Sequence, residues 1–120
     1  SGSMATQALF AFLQRRLRLT VVPTGVGITS AAVAADEGYR AAARAVVMAR
    51  LDNVEYLPGP AVRCRLEVIV IRDGRPVMRR IVEAQPNDAA RRGGDPLYSA
   101  VTAALEALVP ELVGALSDVR

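Results

Sequence analysis

The dipeptide Asp73-Gly74 stands between two runs rich in β-branched and aliphatic residues, at 62–72 and 75–85. A two-residue loop of type I′ needs positive φ at both central positions, which Asp and Gly tolerate, so this stretch is expected to fold as a β-hairpin. Counted outward from that loop, Arg72 faces Arg75, Ile71 faces Pro76, Val70 faces Val77 and Ile69 faces Met78. Further down, Glu67 meets Arg80 and Leu66 meets Ile81. The acid–base pair is worth a few tenths to about 1 kcal/mol. Side chains alternate along a strand, so the uniformly apolar even positions of the first run (Val62, Cys64, Leu66, Val68, Val70) should form the core face. Its odd positions begin polar (Arg63, Arg65, Glu67) and turn apolar (Ile69, Ile71). Apolarity on both faces near the turn makes Ile69, Ile71 and Val77 the candidate interaction surface.

The rest of the chain must cover one side of this hairpin. Residues 6–17 place Leu9, Leu13 and Leu17 four apart, beside Phe10 and Phe12 and opposite Gln14, Arg15 and Arg16, the pattern of an amphipathic helix. A short β-rich run at 18–23 ends at Pro23 and reads as a brief strand. Thr29 or Ser30 can cap an Ala-rich helix reaching residue 44, and 45–57 reads as another strand, closed by Pro58-Gly59-Pro60. Asp95 followed by Pro96 marks a helix start; Leu97, Val101, Leu105, Leu108, Leu112 and Leu116 then fall on one stripe. Pro110 interrupts that stripe and should bend the helix near Glu106. The resulting expectation is a two-layer α+β sandwich: an antiparallel or mixed sheet of about four strands with two to three helices on one face. Residues 1–4 read as a tag remnant with a start methionine, and 5–120 as a single domain, since 120 residues are too few for two comfortable cores.

Chemistry is narrowed by what the chain lacks. It has no histidine, so Ser-His and Cys-His pairs and imidazole metal ligands are excluded, and its one cysteine, Cys64, can form neither an internal disulfide nor a thiolate metal site. Asp36 and Glu37 are neighbours on a helix and point apart; Asp52 and Glu55, three apart on a strand, should face opposite ways. Gly25-Val26-Gly27 lacks the third glycine of a dinucleotide-binding turn. These readings point to a protein that is not an enzyme, with no catalytic, cofactor-binding or metal residues. All fifteen basic residues are arginine and the net charge is +3, a balance that a GC-rich genome explains without any nucleic-acid partner. Arg79 and Arg80 must point to opposite faces, and no exposed aromatics alternate with the arginines, which disfavours single-strand binding. No apolar run approaches the roughly 18–20 residues of a membrane span.

The succession of "LTVVP", an Ala-rich helix, "ARAVVMARL", the long strand before "RDGRPV", and the closing "DPLYSAVTAALEALV" resembles the periplasmic lipoprotein domains related to the curli secretion channel and the TolB amino-terminal domain. The likeness spans residues 6–116; Arg50 stands where that family often has glycine, and the family's usual first strand is missing. No functional residue is carried over. What the resemblance implies is a bacterial cell-envelope domain, periplasmic and non-catalytic, that binds another protein or assembles with copies of itself. Any membrane attachment would then come through an anchor outside this sequence. The alternative expectation is a cytoplasmic accessory module that uses its arginines on nucleic acid or an acidic partner.

Overall fold

A computed structural model of the chain describes residues 2–21, 44–58, 61–84 and 95–117. Within them, three strands form an antiparallel meander in the order β1 (Val46–Leu57), β2 (Ala61–Arg72), β3 (Arg75–Ala84). The β2–β3 connection is the expected type I′ turn, with Asp73 at φ 53° and Gly74 at φ 75°. A Cβ added to Gly74 would meet nothing within 4 Å, so the backbone conformation, and not lack of space, selects glycine there. Three helices, α1 (Gly2–Arg15), α2 (Pro96–Ala107) and α3 (Val109–Leu116), cover one face. The architecture is therefore the expected two-layer α+β sandwich, with three strands among the described residues where about four were expected.

The even positions of β2 form the centre of the core: Val62, Cys64, Leu66, Val68 and Val70 are all fully buried. Leu9, Phe12 and Leu13 of α1 close over them together with Val101 and Leu105 of α2 and Leu112 and Leu116 of α3. Each fully buried Leu or Val contributes roughly 1.5–3 kcal/mol relative to exposure. Asp95 caps α2 as expected, its Oδ1 accepting from the Leu97 and Tyr98 amides at 2.9 and 3.4 Å. Pro110 acts as expected too, although the break falls at Leu108, and α2 and α3 meet at 61°. No single helix among the described residues is long and apolar enough to cross a membrane.

Three local expectations are corrected. Beyond Ile71–Pro76 the β2–β3 register slips by one, so that Val70 pairs with Met78, Ile69 with Arg79, Val68 with Arg80, Glu67 with Ile81 and Leu66 with Val82. Val77 is the extra residue of a β-bulge. Without it, Arg79 and Glu83 would turn toward the helices; with it, Met78, Val82 and Ala84 do, and the core face of β3 keeps one charge, Arg80.

A second bulge lies between Asp52 and Glu55, where Asn53 adopts φ 52°, a conformation Asn tolerates better than most residues. It puts Val54 against the core and sets Asp52 and Glu55 on the same face, opposite Arg65 and Arg63, contrary to simple alternation.

The brief strand expected at 18–23 does not form over 18–21. Arg18 turns at φ 59° and the Leu19 amide returns to the Leu13 carbonyl at 3.1 Å, so this segment terminates α1 while Leu19 and Val21 lean on the core. Their alternation imitates a strand because it buries every second side chain. α1 itself begins at Gly2, and Met4 packs against the core. The Ala-rich helix to residue 44, Gly25-Val26-Gly27, Asp36-Glu37 and the loop at 86–94 fall outside the described residues, apart from Arg44, which is exposed.

Candidate interaction surface

The second face of the sheet is built by the odd positions of β2 and the residues they pair with. Read from the hairpin end, it begins apolar: Val46 beside Ile71, then Met48 beside Ile69. It continues charged: Arg50 beside Glu67, Asp52 beside Arg65, Glu55 beside Arg63. On β3 the same face carries Arg79, Ile81 and Glu83.

The charges hold one another. Glu67, only 9% exposed, receives Arg79 from β3 (Nη2–Oε2 2.6 Å) and Arg50 from β1 (Nη2–Oε1 3.6 Å), so a single carboxylate joins all three strands. Arg65 grips Asp52 through two bonds, Nε–Oδ1 at 2.9 Å and Nη2–Oδ2 at 3.4 Å. The bond from Arg65 holds the Asp52 carboxyl below the usual aspartate range, with the charges of Arg65 and Arg50 acting in the same direction against desolvation; Arg65 is raised in return. Across this face Arg50, Arg63, Arg65 and Arg79 are matched in number by Asp52, Glu55, Glu67 and Glu83. On the helical side Arg80 reaches Glu111 at 3.2 Å, Arg16 reaches Glu106 at 3.0 Å, and Arg72 Nη1 donates to the Ala115 carbonyl at the C-terminal, negative end of α3. The arginines of the hairpin are thus divided between two faces, and Arg65, Arg79 and Arg80 are paired with carboxylates of the same chain. They do not converge into a basic groove, as phosphate binding would require.

The three residues singled out in the sequence meet different fates. Ile71 is 2% exposed and unavailable to a partner, and Ile69 is half-buried between Met48 and Arg79. Only Val77, pushed out by the bulge, is exposed, at 54%. The apolar surface near the turn is therefore narrower than expected. Sequence reasoning missed Ile81, 57% exposed on the same strand, because the unslipped register placed it opposite Leu66 in the core. The signal was present: a slip by one residue exchanges Val77, Arg79, Ile81 and Glu83 for Met78, Arg80, Val82 and Ala84 as the inward set, a less charged choice.

Among the described residues Tyr56, at 71%, is the most exposed large hydrophobic one, and it lies near the far end of β1. Between β3 and α3 runs a shallow groove lined by Val77, Met78, Arg79, Arg80, Glu111, Gly114 and Ala115, crossed by the Arg80–Glu111 pair. Cys64 lies in the core, where burial pushes its thiol up, so it behaves as a small hydrophobe. Among the described residues, no group of three or more Asp, Glu or Cys side chains is placed to hold a metal ion.

Compared with protein-family models, with characterised proteins and with solved structures, the chain matches none of them.

Proposed function

We propose that this chain is a non-enzymatic interaction domain of the bacterial cell envelope that binds another protein or assembles with itself, through a sheet edge or through the exposed apolar residues of β3. The observation that carries the reading is the pairing of Val77 and Ile81, more than half exposed, with a lattice of charges that satisfy one another beside them. Exposed apolar side chains set among charges that are paired within the chain suit a protein surface. The same face is charge-balanced, which weighs against the arginine-dependent alternative: a phosphate backbone is held by unmatched cations. Absence of histidine supports the non-enzymatic part, and the motif succession described above supports the envelope compartment.

Site-specific photo-crosslinking tests the reading. A photoreactive residue at Ile81 or Leu51, in the full chain expressed in bacteria, is expected to give discrete protein adducts, while the same probe at exposed Arg18 gives none. Adducts with nucleic acid alone, or tight salt-dependent retention on DNA or RNA, would overturn it.

A further inference from the structure

Among the described residues, the two outer strands of the sheet are not equally suited to receiving another strand. β3 carries Pro76, the Val77 bulge and the adjacent Arg79 and Arg80, all devices that blunt an edge. From Val46 to Asp52, β1 pairs with β2 without proline or register break. Its core-facing residues are also incompletely covered: Val47, Ala49 and Leu51 are half-buried, whereas their β2 partners Val70, Val68 and Leu66 are fully buried. A further strand beside β1 would extend the hydrogen-bonded ladder and, where it sets an apolar residue against Leu51, the core.

Resting on the interaction-domain reading, we propose that this strand is β1 of a second copy of the chain, running antiparallel about a two-fold axis at Leu51. Charge selects both the occupant and the register. Centred on Leu51, the two leucines face each other on the helical side, and each Arg50 on the other face stands opposite Asp52 of the second copy. Centring on Arg50 or on Asp52 would set like charges directly opposite, which is destabilising, and centring on Ala49 would set Arg50 against Met48 and Asp52 against Val46. Arg50 is available for this contact, since its own-chain partner Glu67 is 3.6 Å away and its side chain is half exposed. Two three-stranded sheets would thereby become one six-stranded sheet with a closed, isologous interface. In this register residues 50–52 of the two copies pair directly, while residues 46–49 run beside 53–56, where the Asn53 bulge interrupts the ladder, so the dimer is of modest affinity.

Sedimentation velocity of the full chain over a concentration series, with cysteine crosslinking, tests this. The chain is expected to shift from monomer to dimer, and Leu51→Cys to give a disulfide-linked dimer under mild oxidation, while Val113→Cys, exposed on α3, does not. Buried Cys64 should not compete. Arg50→Gln, which removes both cross-copy ion pairs without setting a second carboxylate beside Glu67, should weaken the dimer severalfold with the circular dichroism spectrum unchanged. Should that variant misfold, the Leu51→Cys result stands by itself. A chain that remains monomeric at the highest concentration overturns the dimer, as does a dimer that crosslinks through Ile81→Cys and not through Leu51→Cys. In the first case photo-adducts with other proteins leave the broader reading standing and their absence removes it too; in the second, the reading survives with a different surface.

Discussion

β2 pairs along twelve residues without an irregularity of its own, while each strand beside it carries one residue too many, near Asn53 in β1 and at Val77 in β3. The difference follows from what each strand must satisfy. β2 has neighbours on both sides and helices over its even face, so any slip would exchange Leu66 and Val68 for Glu67 and Ile69 in the core. An outer strand is constrained from one side, and an added residue can correct a pattern that simple alternation would get wrong. In β1 the bulge turns Val54 inward and Glu55 outward; in β3 it turns Val82 inward and Glu83 outward. The bulges are thus part of how this sequence reconciles two charged outer strands with one apolar core.

Deletions should break the comparison most sharply. Removing Ile69 from β2 shifts half of the central strand onto the wrong face and is expected to abolish cooperative folding, read as loss of the thermal transition. Removing Val77 joins the Ile71–Pro76 and Val70–Met78 pairs directly, leaves every later pair in place, and should cost no more than about 1–2 kcal/mol in urea unfolding. If both deletions unfold the protein, the Val77 residue is not a tolerated surplus and the distinction between central and outer strands fails.

Truncations sharpen the same contrast at smaller scale. Leu66→Ala, at a fully buried position beneath the helices, should lose about 2–5 kcal/mol, whereas Ile81→Ala, on the opposite face and more than half exposed, should stay within about 0.5 kcal/mol of the parent. Equal losses would mean that Ile81 is covered within the chain and does not belong to an interaction surface.

How far the fold was legible follows the same division. Where one physical demand governs, the sequence was readable: the even face of β2, the Leu97–Leu116 stripe, the Asp95 cap and the Asp73-Gly74 turn each follow from burial or backbone geometry alone. Strict alternation failed at Val77 and Asn53, because a bulge is a compromise between neighbouring strands and no local residue type demands it. It failed at Leu19 and Val21 because half-buried residues after a helix cap alternate as a strand does. The candidate surface inherited those errors: Ile81 was hidden by the assumed register and Ile71 was offered though it is buried. The ion-pair lattice joins residues on three strands and becomes visible only once both registers are known.

A substitution at the β1 bulge tests whether backbone conformation holds it. Asn53 sits at φ 52°, where a β-branched side chain is strained, so Asn53→Val should cost about 1–2 kcal/mol and Asn53→Gly should be near neutral. Identical behaviour of the two variants would show that the bulge has moved or that the strand has re-registered.

The smallest effect concerns the bond that this bulge leaves intact one residue earlier. Asp52 has its pKa held down in the folded chain by Arg65, while in the unfolded chain it titrates near the usual value of about 4. A depressed carboxyl binds fewer protons when folded, so it contributes stability above the unfolded pKa and loses that contribution as pH falls through the lower folded value. Stability should therefore decline between about pH 4 and the more acid folded pKa, and Asp52→Asn should lessen that decline while leaving the neutral-pH slope unaltered. Because the pair is solvent-accessible, salt should reduce the difference between the two proteins. Parallel acid-unfolding curves for Asp52→Asn and the parent would mean that the Arg65 bond does not persist in solution.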